Sequence, residues 1–273
     1  MFKTRLLSGI LLVILALLTI ISGGTVLWVT VALISWIGMR ELYKPFHIEN
    51  ALLGICGYLF GILYDGLLLA MGGGYLLGES RDWFLGLIMA LVISLMAVMV
   101  FSYPKYHADQ LMAAFFGVFY VTVMLSYIYQ IRVMPGGAFT VWLVFICSWG
   151  CDTCAYCTGM LIGKHKMAPK LSPKKSVEGG IGGVAGAALI AVLYGLAINH
   201  WGNADVNVLS FAVIGAAGGM ISQVGDLGAS AIKRNYGIKD YGKLIPGHGG
   251  ILDRFDSVIF TAPIIYYLAV LIS

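Results

Sequence analysis

The sequence predicts an all-α polytopic membrane protein with about nine transmembrane helices, a cytoplasmic N-terminus and a C-terminus outside. Two observations predict the class: only 11% of the 273 residues are charged, and the mean hydropathy is +0.91, well outside the range of soluble domains. A third is the recurrence of apolar stretches of about 20 residues, which can cross roughly 30 Å of hydrocarbon. We expect no soluble domain of useful size beside them.

The apolar stretches follow one another along the whole chain. The predicted spans are residues 7–22, 24–39, 50–71, 83–102, 110–130, 138–162, 178–198, 207–229 and 251–272. The first stretch lacks a small-residue cleavage site before it and runs almost directly into the second, which favours a retained helix over a signal peptide. We divide the chain into an N-terminal region of transmembrane helices, 1–135, and a C-terminal transmembrane region, 136–273.

The basic residues predict the orientation, since Lys and Arg are retained on the cytoplasmic side during insertion. With nine spans, all of the 17 Lys and Arg residues except Arg81 and Arg132 fall in cytoplasmic segments. The net charge of +4 therefore reflects topology, suits anionic lipid headgroups and is no argument for nucleic-acid binding.

Two cytoplasmic segments, residues 163–180 and 230–257, are rich in Lys, Gly and Pro. The lysines alone would fit ordinary cytoplasmic loops. Four acids in or beside the neighbouring spans are not explained by ordinary loops. An ionised carboxylate in hydrocarbon costs roughly 2.5–3.5 kcal/mol or more, so such a residue normally faces a polar cavity. These acids are Asp152, Asp226, Asp253 and Asp256.

The spacing of the acids indicates a metal site. Asp253 and Asp256 are three residues apart, so a helix presents both on one face, and Asp226 can approach them from the preceding span. Converging carboxylates would repel one another, and hard oxygen ligands left open to water and phosphate are those that Mg²⁺ prefers. The sequence therefore predicts metal binding by Asp226, Asp253 and Asp256.

The run "PGHGG", residues 246–250, predicts an anion-binding turn. Gly247, Gly249 and Gly250 allow a backbone turn whose amides can point at an anion, just before the ninth helix begins. Such a turn would bind phosphate together with Lys and Arg side chains and the predicted metal. This combination indicates phosphoryl or nucleotidyl transfer, in which catalysis is mainly positioning and charge neutralisation. The chain has no Walker motif, so we expect a membrane-embedded site with a lipid phosphate as acceptor.

These residues resemble the signature of the phosphatidate cytidylyltransferases, or CDP-diacylglycerol synthases. The main matching run is Ser230, Ile232, Lys233, Arg234, Lys239, Asp240, Pro246–Gly250, Asp253, Arg254 and Asp256. A second region matches at Asp152, Ala155, Tyr156, Gly159, Lys166, Pro169, Ser172, Pro173, Lys175, Ser176, Glu178 and Gly179. Met160 departs from the pattern, since the family has a basic residue there, and this puts one minor phosphate or lipid-head contact in doubt.

The resemblance implies conversion of CTP and phosphatidic acid to CDP-diacylglycerol and pyrophosphate in phospholipid biosynthesis, at the cytoplasmic face of the cell membrane. It also implies Mg²⁺, a paired K⁺, a homodimer and a catalytic C-terminal region. The implied catalytic residues are Asp226, Asp253, Asp256, Asp152, Lys233 and Arg234. The implied substrate- and phosphate-binding residues are Lys175, Ser176, Lys239, Asp240, Gly247, His248, Gly249, Gly250 and Arg254. We expect His248 to donate a hydrogen bond to phosphate rather than act as a base, because a phosphate monoester is already largely ionised near neutral pH.

Other interpretations remain open at this point. A cytidylyltransferase acting on an isoprenoid or ether-lipid phosphate would show the same phosphate-binding residues. An ion-coupled transporter also uses intramembrane acids beside glycine-broken helices, although here the charges gather at helix ends and no repeat is visible. The run Cys147, Cys151, Cys154 and Cys157 has the spacing of an iron–sulfur ligand set, but on a helix it favours a stripe of small packing residues. Two further acids have structural explanations: Asp65 pairing with a polar group of a neighbouring helix, and Glu178 at a helix start, where the dipole favours an acid.

Overall fold

The computed structural model describes residues 2–72, 79–202 and 204–272, and the side chains of these except 2–7 and 79–81. The side chain of Arg81, which enters the orientation argument, lies outside this described part. Within it the chain is almost entirely helical.

Eight helical segments of the described residues are long and apolar enough to cross a membrane. They are Gly24–Phe46, Leu52–Ala70, Asp82–Phe101, Ala108–Val133, Gly137–Ile162, Val177–Gly202, Val208–Asn235 and Leu252–Ile272. A shorter apolar segment, Ser8–Ser22, belongs to the first helix, α1, Phe2–Ser22. The polytopic helical class is therefore confirmed, while the count of nine stays a prediction.

The helices follow in chain order after α1 as α2, Gly24–Tyr43; α3, Leu52–Ala70; α4, Glu79–Phe101; α5, Ala108–Gly117; α6, Met124–Val133; α7, Gly137–Phe145; α8, Cys151–Ile162; α9, Val177–Gly202; α10, Val208–Asn235; and α11, Leu252–Ile272. A 3₁₀ turn, Lys44–Phe46, extends α2. Two π-helical segments, Val118–Val123 and Ile146–Gly150, join α5 to α6 and α7 to α8, so each of these pairs forms one continuous span.

A short antiparallel hairpin lies between α8 and α9, in one of the two cytoplasmic segments that the sequence analysis identified as rich in Lys, Gly and Pro. Its strands are β1, Lys166–Ala168, and β2, Ser172–Ser176. Lys166 pairs with Ser176 and Ala168 with Ser172. Nothing in the residue pattern predicts these strands, because they are very short and show no alternation of apolar and polar residues. The fold is therefore of the predicted helical class, with one small two-stranded sheet added.

The chain forms two compact units. The first comprises residues 1–134 and 240–254, and the second comprises residues 135–239 and 255–273. In the first unit, Tyr43 of α2 is completely buried, and its hydroxyl donates to the carbonyl oxygen of Ala114 at 2.7 Å. Gly57 and Gly117 leave room for its ring.

In the second unit, small residues let α8, α9 and α10 approach closely. The Cys151 thiol donates to the carbonyl oxygen of Gly219 at 3.4 Å. A Cβ on Gly183 would lie 3.0 Å from the Cys151 sulfur, and one on Gly218 would lie 2.6 Å from the Cys147 sulfur. The buried cysteines therefore lie in packing contacts of the kind found in small-residue helix interfaces.

Candidate active site

The first charged contact of the second unit joins the hairpin to α10. The ammonium group of Lys175, near the end of β2, forms an ion pair with Oδ2 of Asp226, and a quarter of each side chain is exposed. The hairpin therefore brings a cation to a carboxylate that the resemblance assigns to catalysis. Because the pair is partly exposed, a phosphate can reach the ammonium group of Lys175.

The second contact is a buried pair between α10 and α11. Lys233 Nζ lies 3.9 Å from Asp256 Oδ2, and both residues are buried. Asp256 Oδ1 also accepts a hydrogen bond from the backbone N–H of Ser257 at 2.8 Å. Gly225 lets the helices meet at this depth, since a Cβ there would lie 2.8 Å from the Asp256 carbonyl oxygen. Lys233 lies on the helix rather than in a loop, because α10 continues to Asn235.

The acids of the second unit share one electrostatic environment. Asp152 and Asp226 both lie close enough to Asp256 for their carboxylates to repel its own, and Lys233 offsets part of this repulsion. Buried like charges are costly unless cations compensate them. This arrangement concentrates negative charge that a bound cation would stabilise.

The donor set suits Mg²⁺. Magnesium in nucleotide-dependent enzymes is usually held by one or two carboxylates together with water and substrate phosphates, and Asp226 and Asp256 can supply two carboxylates. Among the described side chains, residues 8–72, 82–202 and 204–272, no three His, Cys, Asp or Glu form a group that could hold a metal by themselves. Lys175 and Lys233 would compete with a cation for Asp226 and Asp256.

Two matched residues near the hairpin serve as local supports. Ser176 is buried, and its hydroxyl accepts a hydrogen bond from the N–H of Gly179 at 3.1 Å, which is the contact of a helix N-cap. Glu178 accepts from the N–H groups of Lys164 and His165 and lies 2.6 Å from the His165 ring Nδ1. These contacts fix the two ends of the hairpin segment at the start of α9.

In the first unit, Asp253 organises the glycine-rich turn. Its buried carboxylate Oδ2 accepts from the backbone N–H groups of Tyr241 at 2.8 Å and Gly250 at 3.0 Å. Gly247 and Gly249 have φ values of 79° and 88°, a region that glycine enters at little cost. The expected glycine-dependent turn is therefore present, although the Gly250 amide points at Asp253.

The other predicted residues are divided between the two units. His248 Nδ1 is 2.8 Å from the Ser8 hydroxyl, and this hydroxyl donates to the Pro246 carbonyl oxygen at 3.1 Å. Arg234 is exposed, and its guanidinium donates to the Ile238 carbonyl oxygen at 2.9 Å. The remaining predicted residues are Lys239 and Asp240, both exposed, and the half-buried Arg254.

The sequence profile of the cytidylyltransferase family matches residues 3–272. The chain belongs to this family. The phosphatidate cytidylyltransferase of Staphylococcus saprophyticus is 30% identical over 272 residues, covering 98% of this chain and 99% of the relative. That of Staphylococcus epidermidis is 32% identical over 273 residues with the same coverage, and that of Thermotoga maritima is 42% identical over 150 residues, or 54% of each chain. The resemblance drawn from the motifs is confirmed at the level of the family.

The match to the cytidylyltransferase family extends through the N-terminal spans, where the sequence analysis identified no site residue. Glu41 of α2 is buried, and its carboxylate Oε2 accepts from the N–H of Leu252 at 2.8 Å. This acid escaped notice because it follows Arg40 just beyond the predicted second span, where a charge is typical of a loop. The helix α2 in fact continues to Tyr43. The sequence signal that could have identified Glu41 is therefore an acidic residue inside a membrane helix.

Proposed function

We propose that this protein transfers the cytidylyl group of CTP to phosphatidic acid, forming CDP-diacylglycerol and releasing pyrophosphate. The phosphatidate cytidylyltransferases that align with 98% of the chain support phosphatidate as the acceptor and lend no support to an isoprenoid or ether-lipid phosphate. The observation that carries the proposal is the pairing of Lys175 with Asp226 beside that of Lys233 with Asp256. Carboxylates for a cation and ammonium groups for phosphates thus occur together.

The residues of the second unit can support an in-line displacement. The oxygen of the phosphatidic acid phosphate attacks the α-phosphorus of CTP, and the bond to the departing pyrophosphate oxygen breaks. Because the attacking phosphate is already largely ionised near neutral pH, no side chain has to remove a proton from it. Lys175 and Lys233 bind and orient phosphate oxygens, so the triphosphate competes with Asp226 and Asp256 for the two ammonium groups.

Asp226 and Asp256 would hold Mg²⁺ once the lysines turn towards the phosphates. The ion would supply charge neutralisation at the transferring phosphoryl group. Asp152 adds negative charge to the same environment and is assigned a supporting role. The assignment of Asp253 as a metal ligand continues to rest on the spacing of the acids and on the family resemblance, and those of K⁺ as a second ion and of a homodimer rest on the resemblance.

The same proposal includes the membrane orientation. Nine spans, a cytoplasmic N-terminus and a C-terminus outside would put the hairpin and the 236–251 loop at the cytoplasmic face of the cell membrane, where CTP is found. The distribution of Lys and Arg supports this orientation. Labelling of single cysteines introduced into the 236–251 loop and the 204–207 loop, with an impermeant thiol reagent on intact cells and on opened cells, tests it.

The acceptor is tested with purified protein in detergent, radiolabelled CTP and Mg²⁺. Phosphatidic acid and a polyisoprenyl phosphate are supplied in parallel, and lipid-extractable cytidine is measured. We expect labelled lipid with phosphatidic acid and little with the isoprenyl compound. Labelled lipid from the isoprenyl phosphate alone would overturn the choice of acceptor, and labelled lipid from neither would overturn the transfer reaction.

A further inference from the structure

A buried carboxylate from α2 binds the start of α11. Glu41 has 5% of its surface exposed, and its Oε2 accepts from the N–H of Leu252, the first residue of α11, at 2.8 Å. The first N–H groups of a helix have no partner within the helix, so an acid supplied from another helix both satisfies them and matches the helix dipole.

The glycine-rich segment is shaped around this carboxylate. A Cβ on Gly250 would meet Glu41 before any other group, with the side-chain carboxyl carbon 2.6 Å away. A Cβ on Gly242 would also strike the Glu41 carboxylate, and it would lie 3.0 Å from the Gly250 Cα. Neither glycine has a positive φ, so what requires glycine at both positions is close packing against Glu41 rather than backbone conformation.

A second carboxylate also binds the same segment. Asp253 Oδ2 binds the N–H groups of Tyr241 and Gly250, while Glu41 binds Leu252. The turn that carries His248 is therefore anchored by two acids, of which only Asp253 belongs to the family signature identified from the sequence.

We propose that Glu41 is a positioning residue for the cytidylyl transfer reaction: its carboxylate fixes the N-terminus of α11 and the 242–250 segment, and thereby the placement of His248 and Asp253. This inference rests on the proposed function for its effect on turnover. Its effect on the order of the segment does not depend on that function. Reacting groups misplaced by about 1 Å can lose about 10²-fold in rate, which sets the scale of the expected effect.

The first test compares Glu41→Leu with Glu41→Gln. Leucine has similar bulk but no acceptor, so kcat should fall by about 10- to 100-fold and the amides of 240–252 should exchange hydrogen faster, with those of α10 unchanged. Glutamine keeps an oxygen acceptor for Leu252 and should recover most of both losses. Full activity with unchanged exchange in Glu41→Leu would overturn the proposal, and so would a Gln variant as inactive as Leu with normal exchange.

A second pair of variants covers the case in which Glu41→Leu fails to fold. Gly250→Ala should loosen the segment and lower kcat, because the added Cβ meets the Glu41 carboxylate. Glu41→Asp withdraws that carboxylate by one methylene, so in the double variant the loss of kcat caused by Gly250→Ala should be several-fold smaller. If Gly250→Ala caused the same loss with Glu41 as with Asp at position 41, the proposal would be overturned. Gly66→Ala on α3 is the matched control, since its Cβ enters open space.

The exchange measurement also separates this inference from the proposed function. If the wild-type protein transfers no cytidylyl group, the proposed function fails. Faster hydrogen exchange in Glu41→Leu and its recovery in Glu41→Gln would still show that Glu41 orders the 242–250 segment and the start of α11. If the wild type is active and Glu41→Leu is equally active, the positioning role alone fails.

Discussion

Replacing Asp256 by Leu should destabilise the second unit, because it removes the carboxylate that pairs with the buried ammonium group of Lys233, although relief of the repulsion from Asp152 and Asp226 offsets part of this cost. In the native protein the two charged atoms lie 3.9 Å apart, with 9% and 10% of their side chains exposed. Removal of one partner of a buried pair typically costs about 3–5 kcal/mol, whereas replacing both by apolar residues of similar volume is often neutral or stabilising. For a chain of this size, 1 kcal/mol of stability corresponds to roughly 2–4 °C of Tm. The Tm of the Asp256→Leu variant should therefore be lower by on the order of 10 °C.

The assay is thermal unfolding of purified protein in detergent, applied to Asp256→Leu, Lys233→Met and the double variant as a double-mutant cycle. We expect both single variants to lose stability and the double variant to recover most of the loss while remaining inactive. Single variants as stable as the wild type would show that the pair is not buried as a unit. A double variant with full transfer activity would refute the catalytic assignment of both residues.

Three further predictions concern the metal, the ion pair and the packing. Chelation with EDTA should abolish cytidylyl transfer and added Mg²⁺ should restore it, whereas activity that survives chelation would contradict a carboxylate-bound metal. Lys175→Met should lower the Mg²⁺ concentration for half-maximal activity and raise the KM for CTP, because Lys175 competes for Asp226 and binds phosphate; a raised Mg²⁺ requirement would contradict this. Tyr43→Phe should cost about 0.5–1.5 kcal/mol of stability through loss of the hydrogen bond to Ala114, measured by thermal unfolding against Tyr103→Phe, whose exposed ring should tolerate the change.

The membrane helices were predictable because span length and apolar composition are imposed by the bilayer. The predicted span 138–162 is the segment Gly137–Ile162, and the predicted span 251–272 is Leu252–Ile272. The ends were less predictable: α10 continues past residue 229 to Asn235, since polar residues such as Lys233 remain compatible with a helix when a buried carboxylate pairs with them. The hairpin of Lys166–Ser176 was not predictable, because its pairing depends on how α8 and α9 present the segment.

Within the site, the residue types were predictable but their partners were not. The motif identifies Asp226 and Asp256 as important without indicating that lysines lie beside them. Ser176 matches the family as well as Lys175 does, yet its hydroxyl caps α9. Glu41 shows the converse case, since its role follows from a contact with Leu252 across more than 200 positions of sequence, and no local pattern reports such a contact.

The most direct test of the central claim is the transfer of radiolabel from CTP labelled at the α-phosphorus into phosphatidic acid by wild-type protein and by Asp226→Asn, with Asp65→Asn as the control for loss of an acid within a membrane helix. The account predicts labelled lipid from the wild type and from Asp65→Asn, and none from Asp226→Asn although it folds and inserts normally. Equal labelling by Asp226→Asn and the wild type would contradict it.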